Sequence, residues 1–556
     1  MSTVTTHAPR VTESAPRTRA GAVRTLWAVQ MRRDRLQLAV WILGNAAMAG
    51  LAVTGVAQSY GSEAERSTLL ATAIANPVVL TFRGLPSGAG AAEFTGFLIL
   101  PFLVMIAAFM SSFLAVRHTR AEEESGRAEL VGATMASRGS ALCATALHGF
   151  TANALTAAAV AVAFLASGLP LSGSVTAGVT TGAAGLVFLG VGLIAAQLFA
   201  SSRGANALGV IVILASFLVG GVGNAIGSPN ADLTRMESSV LAWFSPFGWA
   251  ENVRPFADND PGPFLPLVAA AAIGLLLAAA LQSRRDVGAS LLAPRRRRAQ
   301  ASGSLRGPVT LVGRLTRGSA IAWAVGAFLT GVLATSLASV VQDLGGSNPA
   351  IATILEAMSQ SGDLRAGTVV IFFTVVGILA SCCAVQLIAR ARQEEAHGTV
   401  EPLWAAAVGR RGWLASYLAV GVIAIAVVDG AAVLGALVGL ARSGDDLVRE
   451  VWVGAAGQGA VAVAFLTITA LVLVVLPRWT IGIGWSIVVL ATIIGLFGPL
   501  FGLPDELTRL SPFSQVPTVT AGGVDGRGVI GIIATAAIAL VLSVWLVRRR
   551  PLVTAG

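Results

Sequence analysis

Two short acidic segments carry the side chains whose types and spacing most suggest a specific interaction. Residues 120–129 and 392–401 align at an offset of 272, and seven of the nineteen aligned positions that begin there are identical. In each segment two Glu residues lie seven positions apart (Glu122 and Glu129 in the first), which places them on one face of a short helix. Because the pattern occurs twice, we expect these acidic segments to dock a soluble partner that is itself a dimer. The alternative is a solvated loop with local Arg–Glu pairs worth about 0–1 kcal/mol each.

The composition excludes two functional classes that depend on lysine. All 38 basic residues are Arg and none is Lys, so the chain has neither a P-loop lysine nor a Schiff-base lysine. Cys143, Cys382 and Cys383 lie in apolar runs, which predicts neither a disulfide framework nor a metal site. His148 has no companion ligand near it in the sequence. We therefore expect no catalytic residue and no metal ligand in this chain.

Asp429 is the one formal charge inside an apolar stretch long enough to cross a bilayer. An intramembrane carboxylate is costly and is therefore a functional candidate, for instance as a proton relay. The alternative is a protonated Asp429 that bonds to a neighbouring helix or lies at a kink beside Gly430. Ala157 occupies the position 272 residues earlier, so this carboxylate is not part of the repeat.

The elements that position these groups follow from composition. The chain has 556 residues, 55% hydrophobic and 12% charged, with a mean hydropathy of +0.77, whereas a soluble domain carries about 25% charged residues. We predict an all-α polytopic membrane protein. Apolar runs of the necessary length, about 17–25 residues, predict twelve spans: 37–58, 94–116, 141–167, 175–200, 205–226, 264–282, 319–341, 367–389, 413–440, 451–476, 480–503 and 528–547.

The distribution of charge predicts the orientation. With both termini inside, the inner segments hold 29 Arg and 10 acidic residues, and the outer segments hold 9 Arg and 17 acidic residues. An excess of basic residues marks the cytoplasmic side. The four-Arg run 295–298 predicts contact with lipid headgroups, with a nucleic-acid patch as the weaker alternative. We expect a multi-pass protein of the bacterial cytoplasmic membrane that binds lipid and no nucleic acid.

Six spans precede residue 283 and six follow residue 318, so the chain divides into two parallel halves. Ser245-Pro246-Phe247 and Ser511-Pro512-Phe513 repeat between the fifth and sixth spans of each half. The predicted organisation has five parts: a tail with an amphipathic interfacial helix (1–36), the first half (37–282), a basic linker (283–318), the second half (319–550) and a short tail (551–556).

The acidic segments, read as R-x-E-E-x-x-G-x-x-E, resemble the coupling-helix region of ABC-2-type exporter permeases. Gly398-Thr399-Val400-Glu401-Pro402-Leu403 is the closer match, whereas the first half departs from the pattern at Arg127. The Ser-Pro-Phe elements resemble that family's element before the last span. In length, in the fusion of two six-span halves and in composition, the chain resembles actinobacterial polyketide-antibiotic exporter permeases of the tetronasin-resistance type, and the resemblance covers nearly the whole chain.

The resemblance implies a type V exporter-like fold and a homodimeric cytoplasmic ABC ATPase, supplied by a separate chain that holds ATP and Mg. It assigns ten residues to coupling: Arg120, Glu122, Glu123, Gly126, Glu129, Arg392, Glu394, Glu395, Gly398 and Glu401. It implies an apolar pathway for an amphipathic small molecule, with these candidates on the matching spans: Phe97, Phe102, Met105, Phe109, Phe217, Phe372, Phe373 and Trp485, to which Asp429 is added. The outer Ser-Pro-Phe elements are expected to dip into the membrane as an extracellular gate formed by Pro246, Phe247, Pro512 and Phe513.

The leading expectation is therefore the permease subunit of an ABC exporter that moves hydrophobic drugs or natural products outward. The alternative from another class is a proton-driven secondary transporter that uses Asp429. Against it, the Gly-x-x-x-Asp-Arg-x-Gly-Arg-Arg-like loop of such carriers does not occur. An integral membrane enzyme is disfavoured because no His/Asp/Glu cluster is evident in the sequence.

Overall fold

The computed structural model describes ten ranges of the chain, and every structural statement below concerns these ranges: residues 19–75, 77–133, 137–286, 288–292, 307–336, 364–405, 408–443, 447–497, 505–520 and 523–549. The chain divides into two compact units, residues 1–296 and 297–556. Residues 1–18 of the predicted N-terminal part, residues 293–306 of the predicted linker, residue 550 and the predicted tail 551–556 lie outside the described ranges.

Helices dominate the first unit. Its helices are α1 (Arg19–Ser59), α2 (Glu63–Ala75), α3 (Pro77–Phe82), α4 (Ala91–Arg117), α5 (Arg120–Glu124), α6 (Arg127–Gly132), α7 (Arg138–Ala166), α8 (Leu171–Leu198), α9 (Ser202–Ala225), α10 (Pro246–Asn252) and α11 (Phe264–Ser283). Between α9 and α10 lie a short antiparallel pair, β1 (Ser228–Pro229) and β2 (Met236–Glu237), and a 3-10 turn at Val240–Phe244.

The second unit repeats this order. Its helices are α12 (Pro308–Ser336), α13 (Leu364–Ala396), α14 (Glu401–Ala405), α15 (Arg410–Ser443), α16 (Val448–Val475), α17 (Thr480–Thr492), α18 (Asp505–Thr508) and α19 (Arg527–Leu546). A π-helical turn at Ile493–Phe497 continues α17, and β3 (Thr518–Thr520) pairs with β4 (Gly523–Asp525). Short 3-10 turns occur at Pro477–Trp479, Pro512–Ser514 and Val547–Arg549.

The prediction of twelve membrane spans is confirmed. Twelve helices of the described ranges are long and apolar enough to cross a bilayer, and they correspond one to one with the predicted spans: α1, α4, α7, α8, α9, α11, α12, α13, α15, α16, α17 and α19. Arg203 and Arg478 lie between adjacent apolar runs, and because a charge is costly in lipid they predict tight turns at the membrane surface. Both turns are present. Ser201 caps α9 by accepting a hydrogen bond from the Gly204 N–H, and the 3-10 turn at Pro477–Trp479 separates α16 from α17.

Two spans differ from their predicted boundaries. The expected interfacial helix near the N-terminus is not a separate element, because α1 runs without a break for 41 residues, about 60 Å at 1.5 Å per residue. Similarly, α12 begins at Pro308, inside the predicted linker. Both sequences lack a Pro or Gly cluster that would end a helix at the membrane surface, so the helix continues beyond its apolar part. The outer ends predicted at 337–341 and 498–503 lie outside the described ranges.

Each unit is built around its fourth span. In the first unit α8 packs against α4, α7, α9 and α11, and in the second unit α16 makes the same set of contacts with α13, α15, α17 and α19. Small residues allow the close approach of the helices. A Cβ on Gly190 of α8 would lie 3.0 Å from the Cα of Gly274 in α11. The second and fourth spans are the most buried in each unit, whereas spans such as α11 and α19 expose many aliphatic side chains, as lipid contact requires.

Candidate functional site

The first acidic segment folds as two short helices joined by a glycine turn. After α4 ends, α5 continues to Glu124, and Gly126 adopts φ +73° before α6 begins. In the second unit Gly398 has φ +70° at the equivalent position, between α13 and α14. Glycine enters this left-handed region at no steric cost, unlike other residues. The expectation that each Glu pair shares one face of a single helix is therefore wrong, because the turn separates the two residues.

Buried ion pairs fix the first acidic segment to the rest of its unit. Arg120 is 1% exposed, and its Nη1 lies 2.9 Å from an oxygen of Glu123. Its Nε and Nη2 donate at 2.9 Å to the carbonyl oxygens of Ala196 and Ala289, respectively. Arg285 completes the arrangement, because its two terminal nitrogens reach the two carboxylate oxygens of Glu123 at 2.9 and 2.6 Å. Glu123 thus lies between two guanidinium groups, and α5 is attached to the end of α8 and to the chain after α11.

The second acidic segment has the same internal pair. The guanidinium of Arg392 lies 3.4 Å from the carboxylate of Glu395. The two residues are three positions apart, as are Arg120 and Glu123. Both partners are buried, and Glu395 has no exposed surface. Arg390 forms a further pair with the buried Glu394, with a nitrogen–oxygen distance of 3.5 Å. A buried charge requires a partner, since removing one member leaves the other desolvated and unpaired.

Besides the two turn glycines, the eight charged coupling candidates fall into two groups. Arg120, Glu123, Arg392, Glu394 and Glu395 point into their own units and shape the segments. The exposed carboxylates are Glu129 and Glu401, with Glu122 partly exposed. Glu122 is shared between two arginines, Arg33 of α1 at 2.5 Å and Arg127 of α6 at 2.7 Å.

A cavity of about 560 Å³ opens beside the first acidic segment. Its lining combines charged groups of α5 and α6, including Glu122, Glu123 and Glu129, with apolar side chains of α1 and α7 such as Leu26 and Leu142. The acidic segment therefore forms one wall of a pocket that is enclosed by the first unit alone.

The Ser-Pro-Phe elements insert beside the fifth span in both units. The Ser245 hydroxyl donates to the carbonyl of Ser216 at 2.5 Å, and the Ser511 hydroxyl donates to the carbonyl of Ala491 at 2.8 Å. Ser216 lies nine residues before the end of α9, so this contact is about 14 Å along the helix from that end. A Cβ on Gly223 would lie 2.3 Å from the Ala242 nitrogen, so the segment before Ser245 can pack this closely against α9 only because residue 223 is a glycine.

Phe247 and Phe513, two of the gate candidates, are buried. The Phe247 ring lies 5.5 Å from that of Phe217 and 5.8 Å from that of Phe188, between centroids. In the second unit Phe513 stacks on Phe465 at 5.5 Å. The adjacent prolines, Pro246 and Pro512, each begin a short helical turn and are partly buried. A gate candidate and a pathway candidate of the first unit therefore belong to one aromatic cluster.

The remaining pathway candidates are dispersed. Phe102 lies near Phe217, with a centroid distance of 6.5 Å, and Met105 and Phe109 pack against the same core. Phe97 belongs to a different buried cluster, with Tyr60 and Phe94 nearby. In the second unit Phe373 is fully buried and Phe372 partly so, whereas Trp485 packs in the core that contains Phe513.

Asp429 lies against the central helix of the second unit. A Cβ on Gly459 of α16 would lie 2.4 Å from its Oδ2. Its Oδ1 is buried and has no hydrogen-bond partner among the described residues. The arrangement provides a tightly enclosed carboxyl group.

A second buried acid, Glu251 of α10, was not anticipated from the sequence. It is 3% exposed and accepts a short hydrogen bond from the buried side-chain amide of Asn224 at the end of α9. Burial raises the pKa of Glu251 to about 8, against the lowering effect of the Asn224 bond. The amide oxygen of Asn224 has no donor partner within the described ranges, which suits a protonated carboxyl beside it.

The expectation that His148 is isolated is wrong. Its Nε2 lies 3.3 Å from Oδ2 of Asp34, and Nε2 of His118 lies 2.5 Å from the same oxygen. The three side chains come from separate places along the chain and are each at most 6% exposed. Sequence spacing gave no signal for this cluster, since it forms only when α1 and α7 pack beside the end of α4.

Comparison with known proteins gives one consistent result. The family model described as "Multidrug efflux system permease Rv1217c, C-terminal domain" matches residues 23–283 and 305–548. The Multidrug efflux system permease protein Rv1217c of Mycobacterium tuberculosis is 32% identical over 557 aligned positions, covering 99% of each chain. Among solved structures, an inward-facing multidrug resistance transporter of the MATE family gives a TM-score of 0.35 at 11% identity, covering 90% of this chain and 99% of that one; similarity at that level carries no argument.

Proposed function

The chain belongs to the family of multidrug efflux permeases that includes Rv1217c, and from this membership we propose that it is the membrane-spanning subunit of an ABC exporter. In this proposal it moves hydrophobic drugs or natural products out of the cell. It is a transport subunit and has no catalytic centre of its own. Both termini and both acidic segments face the cytoplasm of a bacterial cell.

The observation that carries the proposal is the repeated geometry of the acidic segments. After the second span of each unit, a buried Arg–Glu pair three residues apart is followed by a glycine with φ near +70°. The turn then presents an exposed carboxylate, Glu129 in one unit and Glu401 in the other. A structure of this kind suits the transmission of force, because the segment is tied to its own helices while its tip is free to contact a partner.

The energy source must lie on another chain if it is ATP. A P-loop requires Lys at the phosphates, and this chain has none. Two equivalent acidic segments match a partner with two equivalent surfaces, which is a homodimer of a cytoplasmic ABC ATPase carrying ATP and Mg. ATP-driven closure of that dimer would move the acidic segments, and α4 and α13, which lead directly into them, would convey the movement to the spans.

The aromatic cluster around Phe247 is the proposed point of contact with substrate in the first unit. Phe217 and Phe102 of two spans meet the Ser-Pro-Phe element there. Aromatic side chains offer large apolar surfaces that suit amphipathic molecules of varied shape. We expect Phe247→Ala to lower drug efflux more than it lowers the amount of folded protein in the membrane.

Co-purification tests the ATPase partnership. The tagged chain is purified from its native membranes, and the amount of ATPase retained is compared between wild type and the double variant Glu129→Arg/Glu401→Arg. We expect at least a tenfold loss, since about 1.4 kcal/mol of lost binding corresponds to a factor of ten. Glu506→Arg, an exposed acid on the predicted outer side, is the matched control and should retain the partner.

The proton-driven alternative makes the opposite prediction. Its support is Asp429, whose buried Oδ1 has no hydrogen-bond partner in the described part of the chain and is free to accept a proton. If efflux proceeds without any ATPase, collapses with the proton gradient and fails in Asp429→Asn, the ABC proposal is wrong.

A further inference from the structure

Three ligand-type side chains converge in a buried position of the first unit. Asp34 lies on α1, His148 on α7, and His118 directly follows α4. One oxygen of the Asp34 carboxylate and one nitrogen of each imidazole lie within 4.8 Å of one another. The two imidazole rings are perpendicular, with centroids 5.1 Å apart, and both Nε2 atoms point to the same oxygen, Oδ2 of Asp34.

The contacts around this cluster favour a cation at its centre. Nδ1 of His148 lies 3.0 Å from the thioether sulfur of Met31, which can only accept a hydrogen bond. A proton on Nδ1 satisfies this contact and leaves Nε2 of neutral His148 with a lone pair. That lone pair then faces the carboxylate oxygen of Asp34 at 3.3 Å, a pairing of two acceptors that is relieved either by a second proton on the ring or by a metal ion between the two atoms.

The distances are close to those of a metal site. Ligand nitrogens and oxygens lie about 2.0–2.2 Å from Zn²⁺, so neighbouring ligand atoms of a tetrahedron are about 3.3 Å apart. The His148–Asp34 distance already has this value, and the His118–Asp34 distance of 2.5 Å must open by about 0.8 Å. Such a change needs only small rotations of the side chains.

We propose that Asp34, His118 and His148 form a binding site for one divalent transition-metal ion, with Zn²⁺ the best match to two imidazoles and one carboxylate. His118 also lines the 560 Å³ cavity, so in this proposal water from the cavity supplies the fourth ligand. The outer contacts agree with this assignment. His148 would keep its one remaining ring proton on Nδ1 and donate it to Met31. Arg117 lies 3.1 Å from the other oxygen of Asp34, and outer partners of a ligating carboxylate orient it in known metal sites.

The site is confined to the first half of the chain. The positions 272 residues after its ligands are Arg306, Arg390 and Val420, none of which binds metal ions. The ion would fasten α1 to the end of α4 and to α7. Arg33, next to Asp34, pairs with Glu122 at 2.5 Å, so the proposed metal site lies directly beside the first acidic segment. Metal binding does not depend on the proposed function.

Metal titration of the full-length chain tests the proposal. The protein is purified in detergent through a tag without histidine, stripped with a chelator and titrated with Zn²⁺ or Co²⁺ alone. We expect one equivalent to bind, a Co²⁺ absorption spectrum of the tetrahedral type and a higher melting temperature with Zn²⁺. His148→Gln and Asp34→Asn should abolish stoichiometric binding and the thermal shift.

Controls separate a specific site from incidental binding. His397→Gln and Cys143→Ser alter an exposed histidine and an exposed thiol elsewhere, and both should bind as wild type does. Met31→Leu keeps the shape of the packing but removes the outer contact, and we expect about a 10-fold weaker affinity; this variant keeps the test valid if His148→Gln does not fold. The proposal is overturned if the wild type binds no ion at micromolar Zn²⁺, or if the ligand variants bind as tightly as the wild type.

Discussion

Removing the negative charge of Glu123 should release the first acidic segment from its unit. The Glu123 carboxylate receives three short contacts, from Arg120 at 2.9 Å and from Arg285 at 2.9 and 2.6 Å. In Glu123→Gln one oxygen becomes an amide nitrogen that faces a guanidinium donor. Arg120 and Arg285 are both under a tenth exposed, so neither can be rehydrated without local opening.

The magnitude follows from the burial of the pair. Breaking a buried ion pair by changing one partner costs about 3–5 kcal/mol, and the 12% exposure of the Glu123 side chain places the expected value near the lower limit. A loss of about 3 kcal/mol raises the equilibrium constant for local opening about 100-fold, at 1.4 kcal/mol per factor of ten. Because the contacts of Glu123 join α5 only to Arg120 within the same helix and to Arg285 after α11, opening should affect the segment rather than the whole unit.

Hydrogen–deuterium exchange of the full chain measures this effect directly. Peptides that cover residues 119–133 should exchange about 100-fold faster in Glu123→Gln, while peptides from the middle of α8 remain unchanged. Glu124→Gln changes the adjacent exposed acid and serves as the control. Equal exchange in Glu123→Gln and wild type would refute the idea that this buried carboxylate holds the segment in place.

Three further predictions concern single positions. Gly126→Ala and Gly398→Ala should each destabilise the turn by about 1–2 kcal/mol, because both glycines have a positive φ that other residues adopt at a cost. There is room for the added Cβ at both positions, so the effect is one of backbone conformation, and faster hydrogen–deuterium exchange of the turn would report it. Gly132→Ala is the control and should not change the exchange, since Gly132 has an ordinary helical φ. The free energy of unfolding should fall as pH rises from 4.5 to about 8, because over this range Glu251 keeps its proton in the folded state and loses it in the unfolded chain. The melting temperature of Glu251→Gln should change less over this range than that of wild type. An equal dependence of melting temperature on pH in the two proteins would contradict the assignment. Asp429→Asn should leave ATP-driven efflux from membrane vesicles within about twofold of wild type, since the carboxylate belongs to one unit only; a loss greater than tenfold would assign it an essential role.

The membrane architecture was accessible from the sequence because it depends on local composition. Apolar length alone predicts twelve spans, and Arg203 and Arg478 correctly indicate the turns that separate adjacent helices, since a charge is costly in lipid. The repeat was visible in identities such as Gly126 and Gly398. Their shared left-handed conformation explains why both positions are glycine.

The details of the sites depend on tertiary contacts that spacing does not encode. Glu123 and Glu395 look like surface acids, yet Glu395 is fully buried and the Glu123 side chain is only 12% exposed. Asp34 and His148 are 114 positions apart and meet only through the packing of α1 against α7. The sequence shows a glutamate in the same way whether its carboxylate contacts solvent or two guanidinium groups. Periodicity therefore cannot distinguish the residues that shape a segment from those that contact a partner.

The central claim is that two exposed carboxylates, Glu129 and Glu401, contact a separate ATPase dimer. The most direct measurement is the ratio of ATPase to permease in the purified complex, determined for wild type and for Glu129→Arg/Glu401→Arg. We expect two ATPase copies per permease chain in wild type, ATP hydrolysis stimulated by an amphipathic drug, and at least a tenfold loss of bound ATPase in the double variant. Wild-type permease that carries drug across the membrane with no ATPase bound would contradict the claim.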